Sequence, residues 1–455
     1  MTTIDIISGF LGAGKTTLIK ALTGRDTDTL AEEKKRGISI NLGFTYFDLP
    51  SKKRAGIVDV PGHEKFIKNM LAGASGLDMV LLVVAADEGV MPQTVEHLDI
   101  LTYLNIKNGM IVLTKSDTVD EEFRELVKED IREKVQGTFL EEAEIIEVDS
   151  ISRKGLDELI SKIDDMTEEI EDKNLNSPAR LNIDRVFSIK GFGTVVTGTL
   201  IEGKISVDDD LVIYPKELPT KIRSIQVHGE SVDTAYAGQR TAINISNVKV
   251  EEIERGDVLA SVNSLEEAMM LDVKLSIVKH MNIGLKHWDR LRLYHGTREI
   301  LCRAVPLEVE EINPGESGFV QLRLEESIVA KKGDKFVVRR YSPMETIGGG
   351  VIVDTNPRKH KRFDKNVIEA LAVKEKGELT DILEEYIKAN SKNYPNIKDI
   401  MSYSGENEAN IKEALNKLIE EINKPNMTFN EGEKPKIVTA FFKNDAGIIG
   451  ATIEN

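Results

Sequence analysis

The chain has 455 residues, 40% of them hydrophobic and 30% charged, with a net charge of −17. That length suits roughly two to four globular domains, and the absence of any run of about eighteen apolar residues excludes a membrane-spanning helix. A single cysteine, Cys302, excludes an internal disulfide and a cysteine-rich metal site; with no basic flank in MTTIDIISGF a signal peptide is not expected, and a cytoplasmic setting is.

In chain order, IDIIS (4–8), AGIVDV (55–60), MVLLVVAA (79–86) and GMIVLT (109–114) read as buried strands. Unbroken apolar runs of this kind suit a parallel sheet covered on both faces. Helical patterns lie between them: TTLIKAL, HEKFIKNMLAGAS, TVEHLDILTYL and EEFRELVKEDIREKV. The alternation predicts an α/β P-loop domain over 1–175. The acidic stretch 164–177 reads as a linker. Short, Val/Ile/Thr-rich alternating segments punctuated by glycine follow, and predict two antiparallel β-barrels, over 178–262 and 266–357. Helical periodicity returns in NVIEALAV, LTDILEEYIKA and ANIKEALNKLIEEI, so a small helical, partly winged-helix-like domain is expected over 363–455; the tail from 424 has no clear pattern.

Charge is uneven. Residues 1–177 carry a net −13, whereas residues 268–362 carry +5. An RNA-facing surface, if the chain has one, is expected in that third quarter; chance variation along a long chain is the plain alternative.

Gly9-Phe10-Leu11-Gly12-Ala13-Gly14-Lys15-Thr16 fits G-x-x-x-x-G-K-[ST], between an apolar strand and a helix. Gly9, Gly12 and Gly14 free backbone N–H groups to close around phosphate oxygens, and the helix N-terminus favours negative charge. Lys15 is expected to reach the β and γ phosphates and Thr16 to hold Mg²⁺, with Thr17 beside them. A ligand-free glycine turn is the competing reading. Asp59-Val60-Pro61-Gly62 ends a strand where a carboxylate can hold the magnesium shell, and Gly62 can approach the γ phosphate by its N–H. Thr114-Lys115-Ser116-Asp117 ends another strand; the Asp117 carboxylate can accept from guanine N1–H and the exocyclic amine, a donor pair adenine lacks. Ligands of open α/β sheets bind at that edge. Ser39, in Arg36-Gly37-Ile38-Ser39-Ile40, could give magnesium a second hydroxyl in a switch segment; an ordinary loop is the alternative. Ser150, in Asp149-Ser150-Ile151, falls where a last guanine-contacting loop belongs; a surface turn fits equally.

Taken together these motifs resemble the translational GTPases, and DVPGHE is their specific element. The resemblance implies that His63 positions the attacking water when the ribosome docks. Within that group the chain looks like the selenocysteine-specific elongation factors (SelB), on DTDTLAEEKKRGISINLGF, DVPGHEKFIKNMLAG, DEGVMPQTVEHLDIL and RLNIDRVFSIKGFGTVVTGTL. The resemblance implies GTP and GDP as ligands with Mg²⁺, and selenocysteinyl-tRNA and the ribosome as partners. It also implies an aminoacyl pocket lined by Asp184, Arg185 and Arg240. A selenol is an anion at neutral pH, and two guanidinium groups favour it over the neutral hydroxyl of serine. The alternative is that both arginines pair with carboxylates such as Asp184.

Two features depart from that family. Its phosphate loop reads G-H-[VI]-D-H-G-K-T, but here Gly12 and Ala13 replace the carboxylate and the histidine. SGFLGAGKTTL looks instead like the cobalamin-biosynthesis type of metallochaperone GTPase, although no Cys–x–Cys or His-rich element follows. Bacterial members also carry several winged-helix repeats that grip a messenger RNA hairpin. Residues 363–455 leave room for one such module at most, with a net charge of −5, so hairpin binding is expected to be poor. Another translation factor and a non-catalytic tRNA- or ribosome-binding module are the remaining readings.

Overall fold

A computed structural model describes residues 7–9, 12–27, 39, 42–63, 66–73, 76–170, 173–390, 395–397, 400, 408–422, 437–444 and 447–454. In its first unit, β1 (Ile7–Gly9), β2 (Gly43–Asp48), β3 (Arg54–Asp59), β4 (Met79–Ala85), β5 (Asn108–Thr114) and β6 (Ile145–Val148) form a sheet in the order β2-β3-β1-β4-β5-β6. β2 runs antiparallel to β3, and the other neighbours are parallel. Helices α1 (Lys15–Thr23), α2 (Ile67–Gly73), α3 (Pro92–Tyr103), α4 (Glu121–Val135) and α5 (Leu156–Glu168) cover it. Leu18 and Ile19 of α1 and Leu159 and Ile163 of α5 pack on one face with Val83 and Val112. Val127 and Ile131 of α4 pack on the other with Leu82 and Ile111. Burial from both sides is why β4 and β5 carry unbroken apolar runs.

Sequence patterning missed β2, whose burial only partly alternates, and β6, which is four residues long. The first expected strand, 4–8, is described only from Ile7. The linker expected over 164–177 is corrected: α5 runs on to Glu168, because Leu156, Leu159 and Ile163 continue one apolar stripe into the acidic stretch and Thr167 is buried.

Two barrels follow. In the first, strands Arg180–Ile189, Gly193–Glu202, Asp210–Tyr214, Leu218–Val227, Arg240–Ile245 and Val258–Ser261 pair antiparallel, and the contact of Asp210–Tyr214 with Leu218–Val227 closes the ring. The second is a closed barrel of Glu267–Ile277, Ser317–Val329, Arg298–Pro306, Arg290–His295, Lys335–Arg340 and Thr346–Asp354. Cys302 lies in its core, where burial pushes the thiol up to about 12. After it come helices Lys365–Lys376, Leu379–Asn390 and Glu408–Ile422, then a hairpin of Ile437–Asn444 with Gly447–Glu454 in the tail that sequence patterning left unassigned. Leu371 of the first of these helices packs against Val305, Leu307, Phe319 and Val353 of the second barrel.

The first unit seats α3 on the second barrel. Ile100 and Leu101 share an apolar cluster with Tyr294 and Val337. Glu96 accepts hydrogen bonds from Arg339 Nη2 (3.1 Å) and from Thr346 N (3.2 Å) and Oγ1 (2.7 Å). Close approach is possible because residue 349 is glycine: a Cβ there would come within 2.5 Å of Tyr103 Cβ and 2.6 Å of the Phe336 carbonyl oxygen. Gly349→Ala is therefore expected to destabilise the protein by about 1–3 kcal/mol, as overpacking does in tight cores; thermal unfolding that matches the wild type would contradict this seat.

Candidate active site

The parallel strands β1, β4 and β5 end at one edge of the sheet, and the sequence motifs leave from that edge. Gly14 is the N-cap of α1 in left-handed backbone, at φ 79°, a conformation that glycine adopts without strain. The helix thus begins at Lys15 with its first N–H groups facing the phosphate loop. Gly9 and Gly12 flank the turn; Phe10 and Leu11 lie outside the described residues. Lys15 is buried, and its Nζ donates to the Gly9 carbonyl at 2.7 Å. Thr17 is exposed beside it.

Burial lowers the Lys15 pKa to about 8, opposed by the charge of Asp59. A triphosphate restores the charged form, so its binding takes up a proton wherever the empty site has lost one. Nucleotide affinity is expected to be flat below pH 8 and to fall above it, approaching about tenfold per pH unit. In the empty protein the sign is opposite: with its folded pKa depressed, Lys15 costs stability at low pH, and that cost is relieved as pH rises above 8. Titration calorimetry at pH 7, 8 and 9 reads the first effect; a flat profile would contradict it.

Three residues expected to serve magnesium meet here. Thr16 Oγ1 lies 3.1 Å from Ser39 Oγ and donates to Asp59 Oδ2 at 3.0 Å. Two hydroxyls and a carboxylate are hard oxygen donors of the type Mg²⁺ takes alongside substrate phosphates and retained waters, so the set fits that ion. Asp59 also accepts from the buried Thr27 hydroxyl at 2.8 Å, a contact between residues distant in sequence that no motif announces. Arg36, Gly37, Ile38 and Ile40 of the expected switch segment lie outside the described residues.

Beyond β3, Gly62 is buried, and the carbonyl of His63 accepts from Phe66 N at 2.8 Å. The His63 ring packs edge-on to Phe66 with centroids 5.9 Å apart. At the end of β5, the Thr114 hydroxyl donates to the Ala13 carbonyl at 2.7 Å and so ties this strand end to the phosphate loop. Lys115 adopts left-handed backbone, and its Nζ donates to both carboxylate oxygens of Asp87 (3.0 and 2.9 Å). Asp117 is exposed. In the neighbouring loop, the Asp149 carboxylate accepts from Ile151 N (2.9 Å) and Ser152 N (3.0 Å). The Ser152 side chain, followed by these backbone bonds, holds its pKa down. Asp149 builds the turn that carries Ser150, an organising role the sequence reading did not give it.

A second set lies between the first unit and the first barrel. Arg240 donates through Nη1 to Asp184 Oδ2 (2.5 Å) and through Nη2 to Asp184 Oδ1 (3.0 Å), with the Asp184 side chain 5% exposed. Thr197 Oγ1 also donates to Asp184 at 2.8 Å. Arg185 instead donates through Nη2 to the Leu42 carbonyl at 2.9 Å. A cavity of about 380 Å³ opens here, lined by Phe44, Tyr46, Thr197, His228 and Arg240 among others. Among the described residues, no helix is long and apolar enough to cross a membrane.

The chain matches three known families in turn. Residues 2–169 match the "Elongation factor Tu GTP binding domain", 193–260 "Elongation factor Tu domain 2", and 271–359 the "Selenocysteine-specific elongation factor, beta-barrel domain". The selenocysteine-specific elongation factor of Methanocaldococcus jannaschii is 32% identical over 398 residues, a match covering 80% of this chain and 84% of that protein. The chain belongs to the selenocysteine-specific elongation factor family. Its counterpart in Desulfomicrobium baculatum is 44% identical over 360 residues, covering 79% of this chain and 57% of that protein, and the Escherichia coli one 35% identical over 366 residues, covering 80% and 57%. The match thus spans little more than half the length of these two bacterial relatives. A crystal structure of a bacterial selenocysteine-specific elongation factor superposes with a TM-score of 0.74 at 32% identity, covering 95% of this chain and 79% of that one. The Methanococcus maripaludis factor in complex with the GTP analogue GppNHp gives 0.70 at 30% identity, covering 82% and 81%.

Proposed function

We propose that this family member is a GTPase that delivers selenocysteinyl-tRNA to the ribosome. The observation that carries the reading is the Arg240–Asp184 pair in the wall of a cleft that the GTP-binding unit closes from the other side. Asp184 takes two N–H groups of the guanidinium and leaves the others to meet a ligand, and these favour an anionic selenolate over the neutral hydroxyl of serine.

In the GTPase cycle, backbone N–H groups of Gly9, Gly12 and Gly14 and the start of α1 cradle the phosphates, and Lys15 neutralises the β and γ oxygens. Thr16, Ser39 and Asp59 would hold Mg²⁺, which when bound supplies charge compensation for the triphosphate. Thr114, Lys115 and Asp117 select guanine, and Ser150 flanks the base. Gly62 contributes its N–H beside the γ phosphate. His63 orients a water that attacks the γ phosphorus; the bond to the β–γ bridging oxygen breaks, leaving GDP and inorganic phosphate. Hydrolysis loosens the segment around Ser39 and opens the cleft, so the tRNA departs. The setting is the cytoplasm. The acidic C-terminal region supports a weak role, at most, in holding a messenger RNA hairpin.

Filter binding of selenocysteinyl- and seryl-tRNA to the GTP-loaded protein tests the proposal. Preference for the selenocysteinyl form by about 100-fold or more is expected, since a site built around charge rejects the uncharged analogue strongly. Equal affinities would sink the selenocysteine assignment while leaving the nucleotide site standing.

A further inference from the structure

Two carboxylates stand side by side on neighbouring strands of the second barrel, and cations from beyond its last strand meet them. Asp272 on Glu267–Ile277 pairs across to Asp354, the last residue of Thr346–Asp354. Like charges in such register repel, and the Asp272 side chain is wholly buried. His360 Nε2 donates to Asp272 Oδ2 at 2.6 Å, and Lys374 Nζ donates to Asp354 Oδ2 at 2.5 Å. On the other side of Asp272, Gln321 donates through Nε2 to Asp272 Oδ1 and to the Arg358 carbonyl, both at 3.0 Å.

The segment that brings these groups is itself laid on the barrel. Arg362 donates to the carbonyls of Pro306 (3.0 Å) and Val309 (3.1 Å), and Phe363 N donates to the Leu307 carbonyl (2.7 Å). Helix Lys365–Lys376 follows at once and seats Leu371 among Val305, Leu307, Phe319 and Val353. Apolar packing and backbone bonds do not titrate, whereas an imidazole changes charge near neutral pH. A neutral ring can keep its hydrogen bond to Asp272, but it leaves a buried carboxylate without a compensating charge, which is costly. We propose that His360 and Asp272 form a proton-dependent latch that sets how firmly the C-terminal helices are seated on the second barrel.

Bonding to Asp272 raises the His360 pKa above its ordinary value of about 6.5. The charges of Asp272 and Asp354 act in the same direction, against burial and Lys374. Burial pushes the Asp272 carboxyl up, and the His360 bond opposes it. With its seated pKa raised, His360 contributes in full below about pH 6.5, and the contribution is lost as pH rises through the raised value.

Hydrogen–deuterium exchange of the full chain between pH 6 and 9, corrected for the intrinsic pH dependence of exchange, tests the latch. Opening of residues 355–376 should rise by up to about tenfold per pH unit above about pH 6.5 and then level off. Strand Arg298–Pro306 should keep its protection throughout. His360→Gln can still donate to Asp272 but cannot gain a proton, so it should hold the segment at the wild type's high-pH level at every pH. His360→Arg, which stays charged, should keep the low-pH protection up to pH 9. A flat wild-type profile overturns the proposal, and so does a pH dependence that persists in His360→Gln. Exchange in Arg298–Pro306 that rises in step with 355–376 also overturns it, because the pair would then be holding the barrel together and not the helices to it.

Discussion

Asp117→Asn should turn the protein from a guanine binder into a xanthine binder. The Asp117 carboxylate, just beyond β5, is exposed, so the nucleotide-free protein should tolerate the change without loss of stability. In the proposed complex it would accept from two donors on one edge of guanine. Charge-assisted hydrogen bonds are worth about 1.5–3 kcal/mol each, so the variant should bind GTP at least about 100-fold more weakly. Xanthine presents a carbonyl where guanine has its amine, and the asparagine amide can donate to it while its own oxygen accepts from N1–H. Xanthosine triphosphate should accordingly bind the variant better than GTP. Fluorescence titration with both nucleotides decides the matter; a variant that still prefers GTP removes Asp117 from the base-reading role.

Arg240→Ala should abolish the preference for selenocysteinyl- over seryl-tRNA. Its cost extends beyond recognition, because Asp184 is almost wholly enclosed and loses the guanidinium that compensates it. Breaking a buried pair on one side typically costs about 3–5 kcal/mol, so a large fall in melting temperature is expected alongside. The double variant Arg240→Ala/Asp184→Asn separates the effects. Removing the orphaned carboxylate charge should recover much of the stability, and discrimination should stay lost. Recovery of discrimination in that double variant would show that the arginine acts only as a structural counter-ion.

What could be read from the sequence divides along physical lines. The phosphate loop, Asp59 and the 114–117 element are local: a few adjacent residues must supply strand, turn and ligand group together, and the spacing carries the signal. β4 and β5 announce themselves because both faces are covered. β6 is too short for periodicity to register. Thr27 and Glu96 carry no local signature, since each finds its partner only after the chain has folded. Phe44 in GFTYFD reads as one more apolar residue in a strand, and nothing in its neighbours points to arginines more than a hundred residues away. Of the two arginines, Arg240 pairs with Asp184, as the alternative reading expected of both, whereas Arg185 reaches a backbone carbonyl of the other unit.

The hydroxyl of Thr114, fastened to the carbonyl of Ala13, has a consequence for what the site can measure. On the proposed reading, it would make the strand that leads to the base reader and the turn that cradles phosphate into a single gauge with fixed jaws. A ligand would then be judged by its span as well as by its two ends: a guanine carried on a longer or shorter tether would satisfy either jaw, but not both at once.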